Sequence, residues 1–251
     1  MSGLELLLLV FAGLAGGLAG SIAGLASLIS YPALLAVGLG PVAANVTNTV
    51  ALVFSGLGST LGSQVELRGQ AVRVRQLAVV ALMGGAVGAT LLLLTPSDTF
   101  EQIAPWLIGL SSLAILVRPR ARAAERGADE HGGVGAGLVA GIFLIGIYTG
   151  YFGAAAGVML LAILLVATDD TLARTNALKN VLLAIANVAA ALGFILLGPV
   201  HWDAVGPLAL GLLAGSGLGP IVVRHSNAGV LRALIGIAGL ALAVKLGADA
   251  Y

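Results

Sequence analysis

The chain of 251 residues is 59% apolar and only 9% charged, with a formal net charge of +1. An ordinary soluble domain has about 25% charged residues, so this chain has too few polar groups to cover a water-exposed surface. The composition excludes a soluble protein, and the lack of a basic cluster with interleaved aromatic residues excludes nucleic acid as a partner. Because cysteine is absent, there is no disulfide framework, thiolate metal site or cysteine nucleophile.

The apolar segments predict the crossings of a bilayer, since about 20 apolar residues are needed to span its hydrocarbon core. The predicted spans are Leu4–Ile22, Val42–Leu61, Leu77–Leu94, Ile103–Val117, Val134–Tyr151, Leu178–Leu197, Ala204–Val223 and Val230–Leu246. Two further apolar segments, Leu25–Val37 and Gly157–Ala167, are too short to cross comfortably, and each follows a glycine-rich break. Irregular backbone is tolerated at membrane depth only where it is buried in protein or lines a cavity. We therefore predict that these two segments are broken or re-entrant helices.

The most polar stretch, Arg118–His131, divides the chain into two halves of similar length and order. Each half has a glycine-rich span, a short segment, a Thr-Asn pair (Thr47-Asn48 or Thr175-Asn176) and then three spans. An internal duplication is the simplest explanation, and repeats of this kind are typical of secondary transporters. The predicted domains are a first transmembrane repeat at 1–117, a charged cytoplasmic linker at 118–132 and a second transmembrane repeat at 133–251.

Loop charges predict how the two halves are oriented. The basic loops are Arg68–Arg75 and Arg224–Arg232, whereas Pro96–Glu101 is acidic and Gly198–Asp203 is neutral to acidic. Placing both basic loops in the cytoplasm requires the halves to be inverted relative to each other. The predicted fold class is an all-α polytopic membrane protein with two inverted repeats of about five helical segments each, including a broken or short helix in each half. Eight spans with parallel repeats are the alternative, and they would place Arg224–Arg232 outside.

The two glycine-rich breaks, Gly20–Ser27 and Gly146–Gly157, are the first candidate site. Small residues allow helices to pack closely, which is one interpretation of both segments. The other is that an unwound helix exposes N–H groups and a helix N-terminus, which attract an anion. Because both halves are interrupted at matching places, the pattern favours a substrate site.

Polar side chains at matching depth are the second candidate site. They are Asn45, Thr47, Asn48, Thr175, Asn176, Lys179, Asn180 and Asn187. On a helix, Asn176, Lys179, Asn180 and Asn187 share one face. An intramembrane cation is costly, so Lys179 is predicted to be functional, and one cation with amide and hydroxyl donors suits a small oxyanion. Hydrogen bonds between helices for the amides, and snorkelling of Lys179 to the interface, remain open alternatives.

Catalytic groupings are missing from the sequence. His131, His201 and His225 all fall in predicted loops, so they form no metal cluster with helical spacing. Ser216 lies between two glycines without a histidine at matching depth, and no Walker A motif is present. We predict no enzymatic activity, no cofactor and no bound metal.

Several motifs occur in an order that resembles one membrane protein family. They are Ala23–Leu35, which ends in Pro-x-Leu-Leu, Ala44–Asn48, similar to Ala-x-x-Thr-Asn, Gly150–Gly153 with Gly157, similar to a Gly-x-Phe-Gly break, and then Asn176–Asn180, Asn187 and Gly198–Trp202. From about Gly13 to Leu246 this order resembles the sulfite exporter TauE/SafE family. The chain departs from the family pattern at Leu25-Ala26-Ser27, where the break is poorer in glycine, and at Ala154–Ala156.

The resemblance implies a secondary transporter of the cytoplasmic (inner) cell membrane that exports a small anion, sulfite or an organosulfonate such as sulfoacetate, by alternating access. The implied partners are this small anionic substrate and the lipid bilayer, and a homodimer is left open. The predicted substrate-binding residues are Ser27, Asn45, Thr47, Asn48, Tyr151, Asn176, Lys179, Asn180 and Asn187. A passive anion channel and a transporter of a non-sulfur carboxylate are the alternatives. Asp169 and Asp170 are candidate proton carriers only if their loop folds inward.

Overall fold

The computed structural model describes residues 1–116, 135–168 and 170–223, and four isolated positions beyond them. The predicted linker at 118–132, Asp169 and the basic loop Arg224–Arg232 lie outside the described residues. The predicted span Val230–Leu246 also lies outside them, apart from isolated positions.

Every helix or strand assigned in these ranges is an α-helix, as predicted. The helices are α1 (Gly3–Ala23), α2 (Ser27–Ala36), α3 (Pro41–Gly62), α4 (Gln64–Leu67), α5 (Ala71–Leu94), α6 (Ser97–Leu116), α7 (Ala136–Tyr151), α8 (Ala156–Ala167), α9 (Leu172–Leu197) and α10 (Trp202–Val223). Four of them, α1, α3, α5 and α9, are long and apolar enough to cross a membrane. The two short segments predicted after the breaks correspond to α2 and α8.

Three helices begin earlier than their apolar runs predict. Helix α5 begins at Ala71, α6 at Ser97 and α9 at Leu172, each six residues before the predicted span. Their first turns contain polar residues, which the length of an apolar run cannot detect. The one-turn helix α4 was not predicted.

The first break turns the chain back on itself. Gly24 ends α1 in the left-handed conformation, at φ 75°, which glycine adopts without strain. Gly20 then lies against Ala26, and Gly16 lies against Ile29 on α2. Helices α1 and α2 therefore form an antiparallel hairpin, and α2 returns toward the end of the molecule at which α1 begins.

The second break has the same form. Gly153 has φ 74° and Ala155 has φ 57°, so two left-handed residues separate α7 from α8. Gly141 on α7 lies against Ile163 on α8. Helices α7 and α8 are therefore a second antiparallel hairpin, which agrees with the prediction of a broken helix.

Glycine faces join the longer helices in two pairs. Helix α1 packs on α10, and α5 packs on α7, with the glycines of both partners in the contact. These glycines are Gly13 and Gly17 against Gly211 and Gly215, and Gly84 and Gly88 against Gly146 and Gly150. At seven of the eight positions a Cβ would lie within 3.0 Å of the facing helix. Only glycine permits backbones to approach this closely.

The contacts also establish the directions of the helices. Gly85 lies against Ala186, and Gly193 lies closest to Ala89 and Leu93, so α5 and α9 are parallel. Gly56 on α3 faces Ala184 on α9, and Val46 near the start of α3 lies against Gly198 at the end of α9, so α3 and α9 are antiparallel. We call the two ends of the molecule the α3 end, where α3 and α10 begin and α9 finishes, and the α5 end, where α5 and α9 begin. The α1–α2 hairpin begins and finishes at the α3 end, and the α7–α8 hairpin at the α5 end.

Candidate functional site

The two breaks meet inside the bundle. A Cβ on Gly24 would lie 2.4 Å from the Cα of Gly157, and a Cβ on Gly157 would lie 2.4 Å from the Cα of Gly24. The two backbones are therefore in direct contact, and this contact is sterically restricted to glycine on both sides. It brings together the first turns of α2 and α8.

A small cavity lies beside this contact, between the breaks and the helices α3 and α9. Its lining residues are Gly20, Ser21, Gly24, Ala26 and Ser27 from the first break; Leu52, Ser55, Gly56 and Ser59 from α3; Gly153, Ala156 and Gly157 from the second; and Asn180, Leu183, Ala184 and Asn187 from α9. None of these residues is charged. The lining is made of small residues with a few hydroxyl and amide groups.

The lining residues of α3 and α9 occupy corresponding positions. Thr175 follows Thr47 by 128 residues, and the same spacing relates every α3 residue of the lining to an α9 residue. The corresponding pairs are Leu52 and Asn180, Ser55 and Leu183, Gly56 and Ala184, and Ser59 and Asn187. Helices α3 and α9, which carry the two Thr-Asn pairs, therefore line the cavity with corresponding faces.

Three polar side chains in the lining are available to a ligand. Ser27 is 6% exposed, and Ser55 and Asn187 are each 9% exposed, yet none forms a hydrogen bond within the described part of the chain. The backbone N–H groups of Ser27 and Gly157, at the starts of α2 and α8, also have no backbone partner in these ranges. The first N–H groups of a helix have no partner in their own helix and carry a partial positive charge. The cavity therefore presents several unpartnered hydrogen-bond donors in a lining of mainly small, apolar residues.

Lys179 lies behind this lining. It is fully buried, and its Nζ donates to the carbonyl oxygen of Gly20 at 3.3 Å. Asn176 and Asn180 donate from Nδ2 to the carbonyl oxygen of Ser21, at 2.9 and 3.4 Å. The predicted shared face of Asn176, Lys179 and Asn180 is confirmed, and the burial of Lys179 contradicts the snorkelling alternative.

Asn45, Thr47 and Asn48 lie toward the α3 end and do not line the cavity. Asn45 donates to the carbonyl oxygen of Tyr151 at 2.8 Å, and Ser30 donates to Oδ1 of Asn48 at 2.6 Å. Thr47 accepts from the backbone N–H of His201 at 3.1 Å. These contacts join helices, which is the alternative interpretation of the buried amides.

The structure brings three predicted residues, Ser27, Asn180 and Asn187, into the lining of the cavity. The other six, Asn45, Thr47, Asn48, Tyr151, Asn176 and Lys179, lie outside the lining. Their part in substrate binding stays a prediction. Ser55 and Ser59 were not predicted, although the spacing of 128 residues that relates Ser59 to Asn187 was a usable signal.

An ionic cluster lies at the α5 end. Asp170 pairs with Arg73, and Nε of Arg174 donates to Oδ1 of Asp170 at 3.0 Å. Arg174 also donates from Nη1 to the carbonyl oxygen of Arg68 at 3.1 Å. The hydrogen bond from Arg174, together with Arg73, holds the pKa of the Asp170 carboxyl below its usual value. Asp170 does not line the cavity.

The fold and the cavity define a class: an all-helical, multi-pass membrane protein in which two broken helices meet beside a small polar cavity. Residues 9–246 match the family described as sulfite exporter TauE/SafE. The chain belongs to this family of membrane transporters. The family is not an enzyme class, which agrees with the prediction of no enzymatic activity.

Curated relatives align with nearly the whole chain. It is 28% identical over 255 residues to the probable membrane transporter protein YfcA of Escherichia coli K12, covering 100% of this chain and 93% of the relative. It is 28% identical to the probable membrane transporter protein ORF9 of a Sinorhizobium species, covering 99% and 96%. A probable membrane transporter protein of Haemophilus influenzae is 26% identical, covering 97% and 95%. No solved structure matches the chain.

Proposed function

We propose that the chain is a secondary transporter that exports a small anion, sulfite or an organosulfonate such as sulfoacetate, across the cytoplasmic membrane. The observation that carries this proposal is the donor-lined cavity at the contact between the two breaks. Membership of a transporter family gives the class of activity, and the family's description as a sulfite exporter gives the class of substrate.

We also propose that the two halves are inverted repeats. Gly157 follows Gly150 by as many residues as Gly24 follows Gly17, so Gly24 and Gly157 are counterparts. Gly56 and Ala184 are counterparts too, and each pair touches its own counterpart, as residues on a two-fold axis do. The two hairpins enter from opposite ends, and the cavity beside the proposed axis is where such transporters bind substrate.

In this proposal the anion is bound in the cavity by Ser27, Ser55 and Asn187, with the starts of α2 and α8 directed at it. The remaining predicted residues (Asn45, Thr47, Asn48, Tyr151, Asn176, Lys179 and Asn180) hold the breaks in position around it. The basic residues Arg68, Arg73 and Arg75 place the α5 end in the cytoplasm. Alternating access then opens the cavity first to the α5 end and next to the α3 end.

Flux of sulfite and sulfoacetate in liposomes that contain the purified protein tests the proposal. Asn187→Ala removes a lining donor and is expected to lower the transport rate at least about tenfold, because a lost charge-assisted hydrogen bond costs about 1.5–3 kcal/mol. Thr90→Ala, at an exposed position of α5, is the control and should transport normally. Equal rates in both variants would contradict the site.

The same measurement separates the alternatives. Movement of carboxylates without any sulfur anion would overturn the proposed substrate. Conductance far above the rates of a carrier would indicate a passive channel and overturn alternating access.

A further inference from the structure

The wall of the cavity includes the C-terminal end of a helix, which is an unfavourable neighbour for an anion. Gly20 and Ser21 line the cavity, and both belong to the last turn of α1. The carbonyl groups at the end of a helix carry a partial negative charge of about half an elementary charge. Helix α1 has no basic residue in its own last turn. An anion in this cavity would therefore be repelled unless another element supplied a positive charge.

Helix α9 supplies that charge through Lys179. Its ammonium group donates to the Gly20 carbonyl at 3.3 Å. The next carbonyl of the same turn, that of Ser21, accepts from Asn176 and Asn180. The side chain is fully buried, so water does not screen this interaction strongly. A cation near a helix C-terminus is stabilising, and most so when it is partly or fully buried.

The corresponding end of α7 has a different arrangement. The counterpart of Lys179, by the same spacing of 128 residues, is Ala51. Near the end of α7, neutral groups donate to the carbonyl groups: Asn45 to Tyr151 at 2.8 Å, and the Tyr148 hydroxyl to Ala154 at 2.8 Å. The cation is therefore present at one of two otherwise matched helix ends.

We propose that Lys179 is a positioning residue of the anion site, which neutralises the C-terminal end of α1, and that the anion itself is held by the uncharged donors Ser27, Ser55 and Asn187. This inference rests on the proposed transport of a small anion. Lys179 does not line the cavity, whereas the three donors do, and each of them is at least nine-tenths buried without a hydrogen bond in the described ranges. Lys179 acts on the anion through α1 and not by contact.

Two variants of the full-length protein separate these roles. The readouts are the melting temperature without substrate and the dissociation constants for methanesulfonate, a monoanion, and sulfoacetate, a dianion. Lys179→Met should lower the melting temperature and weaken sulfoacetate binding about tenfold, with a smaller loss for methanesulfonate, because the uncompensated helix end repels the greater charge more. Asn187→Ala should weaken both anions by similar factors and leave the melting temperature of the substrate-free protein unchanged.

Other patterns would overturn the inference. Weaker binding by Lys179→Met with an unchanged or higher melting temperature would make Lys179 a direct ligand. A lower melting temperature with unchanged affinity for both anions would leave it a purely structural residue. If the wild-type protein bound neither anion, the proposed function would be overturned as well. If the wild-type protein bound both anions and Lys179→Met bound them equally well, only the role of Lys179 would be overturned.

If Lys179→Met does not fold, chemical labelling of the wild-type protein tests whether the anion contacts Lys179. Denatured protein, in which the side chain of Lys179 is accessible to an amine-reactive reagent, serves as the reference for complete modification. Lys179 should remain unmodified with and without sulfoacetate, because its ammonium lies on a carbonyl behind the lining. Modification of Lys179 that sulfoacetate prevents would show contact with the anion and overturn the proposal.

Discussion

Asp170 connects three parts of the α5 end through one carboxylate. It pairs with Arg73 at the start of α5 and accepts from Arg174 in the first turn of α9. Its side chain is 21% exposed, so the pairs are partly shielded from water. Because these arginines lower the pKa of the carboxyl in the folded protein, the interaction stabilises the fold only while Asp170 is ionised.

The stability of the protein should therefore depend on Asp170 in a particular pH range. The contribution is complete above the unfolded pKa of about 3.9 and is lost as the pH falls through the lower folded value. Asp170→Asn is expected to lower the free energy of unfolding by about 1 kcal/mol or less at neutral pH, as for a partly exposed ion pair. Thermal unfolding in detergent between about pH 3 and pH 8 measures this. The exposed Asp98→Asn is the control, and a difference from wild type that grows on acidification would contradict the assignment.

At the scale of helices, packing between α1 and α10 depends on glycine faces. A Cβ on Gly211 would lie 2.1 Å from the carbonyl oxygen of Val10, and backbone cannot yield there as a flexible side chain does. Gly206 lies on the same helix with nothing within 4 Å of its Cβ position. An added methyl group therefore disturbs helix packing at Gly211, whereas at Gly206 it changes only the helix propensity.

Alanine at these two positions should have opposite effects. Gly211→Ala is expected to destabilise the protein by about 1–3 kcal/mol, as overpacking does. Gly206→Ala should be neutral or stabilising by up to about 1 kcal/mol, because alanine favours the helix. Melting temperatures of the purified variants measure both effects. Equal stability of the two variants would show that the α1–α10 contact does not limit stability.

The positions of the helices were largely predictable from the sequence. A lipid environment requires continuous apolar runs, and these located α1, α3, α7 and α10 within two residues at each described end. The polar first turns of α5, α6 and α9 were missed, because polar residues beyond the apolar core do not interrupt a helix.

The candidate site was only partly predictable. Ser27, Asn180 and Asn187 were identified because polar groups are rare in these segments. Ser55 was missed, since a serine in an apolar helix resembles a packing residue. Lys179 donates to the carbonyl of Gly20, 159 residues away in sequence, so no local pattern could indicate this contact.

At the scale of the whole molecule, eight of the ten described helices form two groups that do not coincide with the two halves of the sequence. The first group contains α1, α2, α3 and α10, and the second contains α5, α7, α8 and α9. They meet where α3 packs against α9 and where Gly24 touches Gly157. Helix α10 thus packs with the first half of the chain, and α5 packs with the second. Under the proposed alternating access, the units expected to move are these groups and not the sequence repeats.

Disulfide cross-links can distinguish the two kinds of moving unit, because the native chain has no cysteine. Ala89→Cys with Gly193→Cys joins the two halves of the sequence but lies within the second group, and the two Cβ atoms would lie 3.9 Å apart, which suits a disulfide. Val46→Cys with Gly198→Cys also joins the two halves, but it connects the two groups, at the α3 end. Oxidation should leave anion flux intact in the first double variant and stop it in the second, with recovery on reduction. Single-cysteine variants are the controls, and a block by the Ala89–Gly193 cross-link would show that the sequence halves move against each other.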